Sequence, residues 1–212
     1  MKLVAPLFLA LVILSGAPGT SRAIDELAAQ ERVGFRAGGL ITDDGFNDAY
    51  GGGWSLTLFF TERIAKPLLL DIRLGALYFG DLKFSDLDDE LTNTPGIEGS
   101  MRILYFSAGP LFGKPITDAT AVYGSAAVGI YSISMQFDTG VTAYDFSDQK
   151  LGFNGGLGVV RRLGAKWSFD VNGSVHYVVI DKDLSDLYYA FTDGADAPLI
   201  IDIAAGLTLD LR

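Results

Sequence analysis

The sequence predicts an all-β chain that closes as an eight-stranded antiparallel up-and-down transmembrane β-barrel. Three observations predict it. Apolar residues recur at every second position in one segment after another, the period of a strand and not of a helix. The alternate face mixes charges with glycine, serine and threonine, which suits a cramped interior better than a solvent face. The connections alternate short and long, and the acidic residues gather in the long ones.

Composition sets the outer bounds. The chain has 212 residues, with 26 acidic and 16 basic side chains and a formal charge of -10. That balance excludes a nucleic-acid binder, which needs a basic footprint. There is no cysteine and a single histidine, which excludes disulfides, thiolate zinc sites and multi-histidine metal centres. Hydrophobic residues make up 49% of the chain, too many for a disordered one.

The N-terminus reads as an export signal. Lys2 precedes the uncharged run 3–14, shorter than the roughly 17 residues a transmembrane helix needs. Ser21 and Ala23 place small residues at −3 and −1, so cleavage after Ala23 is expected, leaving 24–212 as a single barrel domain. No cysteine follows the site, so a lipid anchor is not expected.

The strands follow in order. Val33, Phe35, Ala37, Gly39 and Ile41 form one face of the first, with Arg36 on the other. Trp54, Leu56, Leu58 and Phe60 mark the second. Leu68, Leu70, Ile72, Leu74, Ala76 and Tyr78 mark the third, opposite Asp71 and Arg73. In 102–113, Leu104, Phe106, Ala108, Pro110 and Phe112 share a face that Ile103 and Tyr105 blur. Residues 120–137 carry no charge, yet glycine, serine and β-branched residues make them a strand, with a bulge expected near Gly129. Leu151, Phe153, Gly155, Leu157 and Val159 mark the sixth. Trp167, Phe169, Val171, Gly173, Val175, Tyr177 and Val179 mark the seventh, opposite Asp170, Asn172, Ser174 and His176. Leu199, Ile201, Ile203, Ala205, Leu207, Leu209 and Leu211 mark the eighth, opposite Asp202 and Asp210.

Long connections are expected at 42–52, 80–100, 138–150 and 181–197, where Lys83, Lys150 and Lys182 are the only cations among many carboxylates. Short ones are expected at 62–67, 114–120 and 161–166, and they are basic on balance. Long acidic loops outside the cell and short turns inside would put both termini in the periplasm. The apolar face is then the lipid face, with Trp54, Tyr78, Phe112, Trp167 and Tyr177 as the aromatic girdles. Arg36, Asp71, Arg73, Asp170, Asn172, His176, Asp202 and Asp210 would form a structural polar network in the lumen. Within it, Arg36 is expected near Asp210 or Asp170, and Arg73 near Asp71 or across the lumen.

Two stretches carry the family resemblance. Val122-Tyr123-Gly124-Ser125-Ala126-Ala127-Val128-Gly129 resembles the central strand, and Lys166-Trp167-Ser168-Phe169-Asp170-Val171 leading to His176-Tyr177 resembles the Trp-turn-strand, of the small outer-membrane barrels that include OmpX, the OmpA transmembrane domain and OmpW. In the second, His176 replaces an arginine. The terminal aromatic usual in such barrels is also absent, since the chain ends Leu211-Arg212. The resemblance implies an outer-membrane protein that meets lipids, lipopolysaccharide and the barrel-assembly machinery. A monomer without cofactor is expected, with a possible surface or host ligand unspecified.

No catalytic or metal site is expected. Ser174 and His176 share a face, but residues i and i+2 stand about 6.6 Å apart along a strand, too far for a nucleophile–base bond. Asp86-Leu87-Asp88-Asp89-Glu90 lacks calcium-loop spacing and reads as a solvated loop tip. The Gly51–Gly53 and Gly155–Gly156 glycines lack the strand-to-helix setting of a phosphate loop. Tyr188-Tyr189-Ala190-Phe191 is an aromatic cluster in the last long loop, packed on its base or adhesive. The leading function is a non-enzymatic envelope or surface barrel with a plugged lumen. An OmpW-like narrow conduit for small hydrophobic molecules is the alternative, favoured by Leu77, Phe79, Val178 and Ile180 near one rim. A secreted lipocalin-like carrier is the third.

Overall fold

The computed structural model describes residues 31–42, 52–65, 68–80, 98–138, 143–179 and 199–211. The export signal, the acidic tip 86–90, Ile180, the 188–191 cluster and most of the long connections lie outside these residues. Eight strands occur in chain order: β1 (Arg32–Thr42), β2 (Gly53–Ala65), β3 (Leu68–Phe79), β4 (Glu98–Thr117), β5 (Thr120–Asp138), β6 (Ala143–Arg162), β7 (Trp167–Val178) and β8 (Leu199–Asp210). Each pairs antiparallel with the next, and β8 pairs with β1, so the barrel closes without an edge. Closure gives the ladder groups a neighbour on each side through the body of the wall, the requirement for any sheet in hydrocarbon, while among the described residues 143–150 at the loop end of β6 pair with β5 alone.

The period-2 pattern decides what faces where. Leu58, Leu74, Phe106, Ile130, Leu151 and Trp167 are each more than half exposed on the outside. Inside, Arg36, Arg73, Asp71, Asp170, Asn172, His176 and Asp202 are all buried. A lipocalin-like carrier requires the reverse, with an apolar interior and a hydrated exterior. The inside-out distribution contradicts that alternative.

Two expectations about elements need correction. The wall runs in unbroken register past Gly129, which faces Ser107 on β4 and Gly152 on β6, so no bulge lies there. The glycine serves close approach instead: a Cβ on it would press on Ser107, 2.7 Å from that side chain. The irregularities in these ladders fall near the turns, between Arg63 and Ala65 and between Pro115 and Thr117. Second, 138–150 is not a long connection. β5 continues to Asp138 and β6 begins at Ala143, paired from Gln136↔Asp145 through Tyr131↔Lys150. Polar residues on both sides of Phe146 hide the strand, although Phe146 itself packs against the buried apolar cluster. The short connections shrink as well. Only Asp118 and Ala119 separate β4 from β5, and only 163–166 separate β6 from β7.

The lumen as candidate functional site

The inward residues stack in three layers. Nearest the loop end is an apolar cap of Leu40, Leu77, Phe79, Met101, Ile103 and Ile133, with Met135, Val178 and Ile200 completing it. Nearest the termini is a smaller cluster of Leu69, Leu111, Ala121 and Val160. A polar layer lies between them.

Two guanidinium groups organise that layer. Arg36 Nε donates to Asp170 Oδ1 at 2.5 Å, and its terminal nitrogen donates to the Tyr123 hydroxyl at 3.0 Å. Tyr123 in turn donates to Asp170 Oδ1 at 3.0 Å, closing a three-membered ring of bonds. The Arg36 guanidinium also lies 3.9 Å from the Phe59 ring centroid, a cation–π contact. Arg73 Nε donates to Asp71 Oδ2 at 2.7 Å. Its other nitrogens reach Asn154 Oδ1 at 3.1 Å and Ser125 Oγ at 2.6 Å. Of the partners anticipated for the two arginines, Arg36 meets Asp170 and not Asp210. Arg73 meets Asp71 and also spans to β5 and β6.

Asp210 pairs instead with Arg32, 3.3 Å away at the termini end. Arg32 was not among the sequence candidates, although it sits on the inward parity of β1, four residues before Arg36. Asp202 accepts from Ser55 Oγ at 2.6 Å, just below the cap. Asn172 donates to the Leu157 carbonyl at 3.2 Å.

His176 lies among aromatic rings. Its Nδ1 is 3.2 Å from the Tyr131 hydroxyl, and the Tyr105 ring meets it edge-on at 5.0 Å between centroids. The separation argued for Ser174 and His176 needs correction. The two side chains converge, and Ser174 Oγ comes within 3.4 Å of His176 Nε2. Backbone spacing set the wrong limit because an imidazole reaches along the strand. The pair is buried beneath the cap, with His176 1% exposed.

The sequence reading missed three tyrosines, Tyr105, Tyr123 and Tyr131, that fill the middle. Each lies across a glycine of an adjacent strand: Tyr105 over Gly75, Tyr123 over Gly158 and Tyr131 over Gly152. A Cβ at any of the three glycines would run into the phenol ring, so glycine here makes room for a flat-lying aromatic. Tyr105 and Tyr131 stack with centroids 5.4 Å apart, and Tyr105 shares a 2.8 Å hydrogen bond with Thr57. Beside this layer, Arg32, Arg36, Phe59, Tyr123 and Asp170 line a cavity of about 20 Å³, room for about one water molecule. No group of metal-ligating side chains assembles among the described residues.

The proposed girdle residues all sit on the outside near strand ends. Trp54 and Tyr78 stack at 5.4 Å toward the loop end. Tyr177 is outward near that end too, while Phe112 and Trp167 are outward toward the termini end.

The geometry defines a class: small closed barrels with an apolar exterior and a packed polar interior. The sequence matches no protein-family profile and no curated protein. Solved structures agree with the class. A major outer membrane protein from Thermus thermophilus is similar with a TM-score of 0.60 at 15% identity, over 84% of this chain and 98% of that one. Neisserial surface protein A gives 0.55 at 12% identity, over 85% and 97%. OprG from Pseudomonas aeruginosa gives 0.55 at 13%, over 89% and 99%. The chain thus has the fold of the small outer-membrane β-barrels.

Proposed function

We propose that this protein is a non-enzymatic integral outer-membrane barrel whose lumen is closed by its own side chains, and that it serves envelope structure or surface contact. One observation carries the reading: buried Arg–Asp pairs occupy the middle of the inside while Leu, Ile, Val and Phe are exposed on the outside. In water that outside would be a continuous apolar surface. In a bilayer it is the surface that hydrocarbon favours, where a charge near the midplane costs about 2–4 kcal/mol.

In this reading the signal is removed after Ala23 and the chain is inserted by the barrel-assembly machinery. It stands as a monomer among phospholipid and lipopolysaccharide. Trp54, Tyr78, Phe112, Trp167 and Tyr177 anchor it at the two interfaces. The acidic connections face the exterior and the termini the periplasm. Fold likeness to outer-membrane proteins supports the location.

The layered packing favours a closed lumen over a conduit. Leu77, Phe79 and Val178, which an apolar entry would need to expose, are 0% exposed inside the cap. Planar-bilayer recording of the purified protein tests this. The expected result is little or no steady conductance. A large, long-lived open state would replace the plugged reading with the conduit.

A further inference from the structure

Among the described residues, one cation lies on the outer wall toward the loop end. Arg102 lies on β4 between Met101 and Ile103, both turned inward, so its side chain is on the outer surface and exposed. It pairs across the ladder with Tyr78 on one side and Ser134 on the other, and Tyr78 pairs with Trp54. Trp54, Tyr78, Arg102 and Ser134 therefore form one outward row across β2, β3, β4 and β5. Below Arg102 on its own strand come Leu104 and Phe106, both outward and exposed. The row above it, Ser100 paired with Gln136, is polar. Arg102 thus marks the line where the apolar belt gives way to polar wall at the loop end. It forms no ion pair among the described residues.

Near an interface a guanidinium is tolerated on the outer wall, and the Arg102 donors are turned toward whatever anion lies at that depth. The interfacial aromatics fix the depth as that of lipid headgroups. A planar guanidinium offers paired donors that match phosphate oxygens, and neighbouring hydroxyls add further donors. The geometry points to Arg102, with Ser134 beside it and the Trp54–Tyr78 stack flanking it, as an outward-facing site for the phosphate of an anionic lipid headgroup in the leaflet at the loop end. The inference rests on the membrane reading above and adds a specific lipid contact to it.

Native mass spectrometry of the detergent-purified protein, incubated with bisphosphorylated lipid A, tests the site. Juxtamembrane cations contribute about 1 kcal/mol each toward anionic lipid, close to a fivefold effect. Wild type should retain a lipid A adduct, and Arg102→Gln should retain about five- to tenfold less. Arg102→Lys should fall between them, because it keeps the charge and loses the fork. Lys114→Gln, which removes a cation at the opposite rim, should retain the adduct like wild type. Phosphatidylcholine should be retained equally by all four. Each variant changes an exposed side chain, and heat-dependent gel migration confirms that each is folded.

Equal retention by wild type and Arg102→Gln would overturn the assignment, as would loss in Lys114→Gln instead. Displacement of lipid A by inorganic phosphate alone would also overturn it, since it would mark a free-phosphate site. A detergent-bound wild type with no adduct removes this inference alone. A wild type that is monodisperse without detergent removes the membrane reading with it.

Discussion

Arg36→Ala is the perturbation that loads the polar layer most. The truncation deletes the ion pair to Asp170, the bond to Tyr123 and the contact with the Phe59 ring. Asp170 is then left 1% exposed, with the Tyr123 hydroxyl as its remaining side-chain donor. Breaking one side of a buried pair typically costs about 3–5 kcal/mol. The retained Tyr123 bond argues for the lower end of that range. Removing both charges should be milder, because no buried carboxylate is stranded. Arg36→Ala/Asp170→Ala should therefore lose clearly less than the two single losses added together. Urea unfolding in detergent micelles, followed by Trp54 and Trp167 fluorescence, reads these differences. Asp88→Ala, in an acidic connection, serves as the reference and should stay within about 0.5 kcal/mol of wild type. An Arg36→Ala protein as stable as its parent, or strictly additive double-mutant losses, would refute the pairing argument.

Other predictions follow from the same geometry. Gly158→Ala puts a methyl against the Tyr123 ring and should cost about 1–3 kcal/mol as overpacking, whereas Gly173→Ala, facing open space outside, should be near neutral in the same unfolding assay. Leu157→Arg places a charge on the outer face of β6, where Leu157 is 75% exposed. In lipid it should lose about 2–4 kcal/mol, and in a soluble protein it would lose almost nothing. N-terminal sequencing of the envelope-associated protein should begin at Ile24, and recovery of intact Met1 would remove the export signal.

The sequence made β3, β7 and β8 plain because their inward residues are polar through the middle, so hydropathy alternates cleanly with exposure. β4 and β5 blurred for a physical reason. Their inward positions toward the loop end are Met101, Ile103, Ile133 and Met135 of the cap with Tyr105 and Tyr131 beneath them, so both faces are apolar and the period fades. Parity alone still locates them: counting from Leu104 and Phe106 outward puts Tyr105 inward, and its cross-strand partner is the glycine its ring requires. The same parity on β1 would have flagged Arg32. The start of β6 was hidden for the opposite reason, since Asp145, Ser147, Asp148, Gln149 and Lys150 put polar residues on both of its faces around the cap-packed Phe146. Composition gives no clue to which carboxylate each arginine meets, because that depends on cross-barrel distances set by closure.

The central claim is that the outside of the wall faces hydrocarbon and the inside does not. The chain has no cysteine, so single cysteines along β8 from 199 to 211 can each carry a nitroxide label without background. In bilayers, collision with oxygen should rise at the odd positions 201, 203, 205, 207 and 209 and fall at the even ones, with a two-residue period. Water-soluble paramagnetic reagent should be excluded from the same odd positions. Odd positions as accessible to the aqueous reagent as to oxygen would contradict the account, because they would place water where it places lipid.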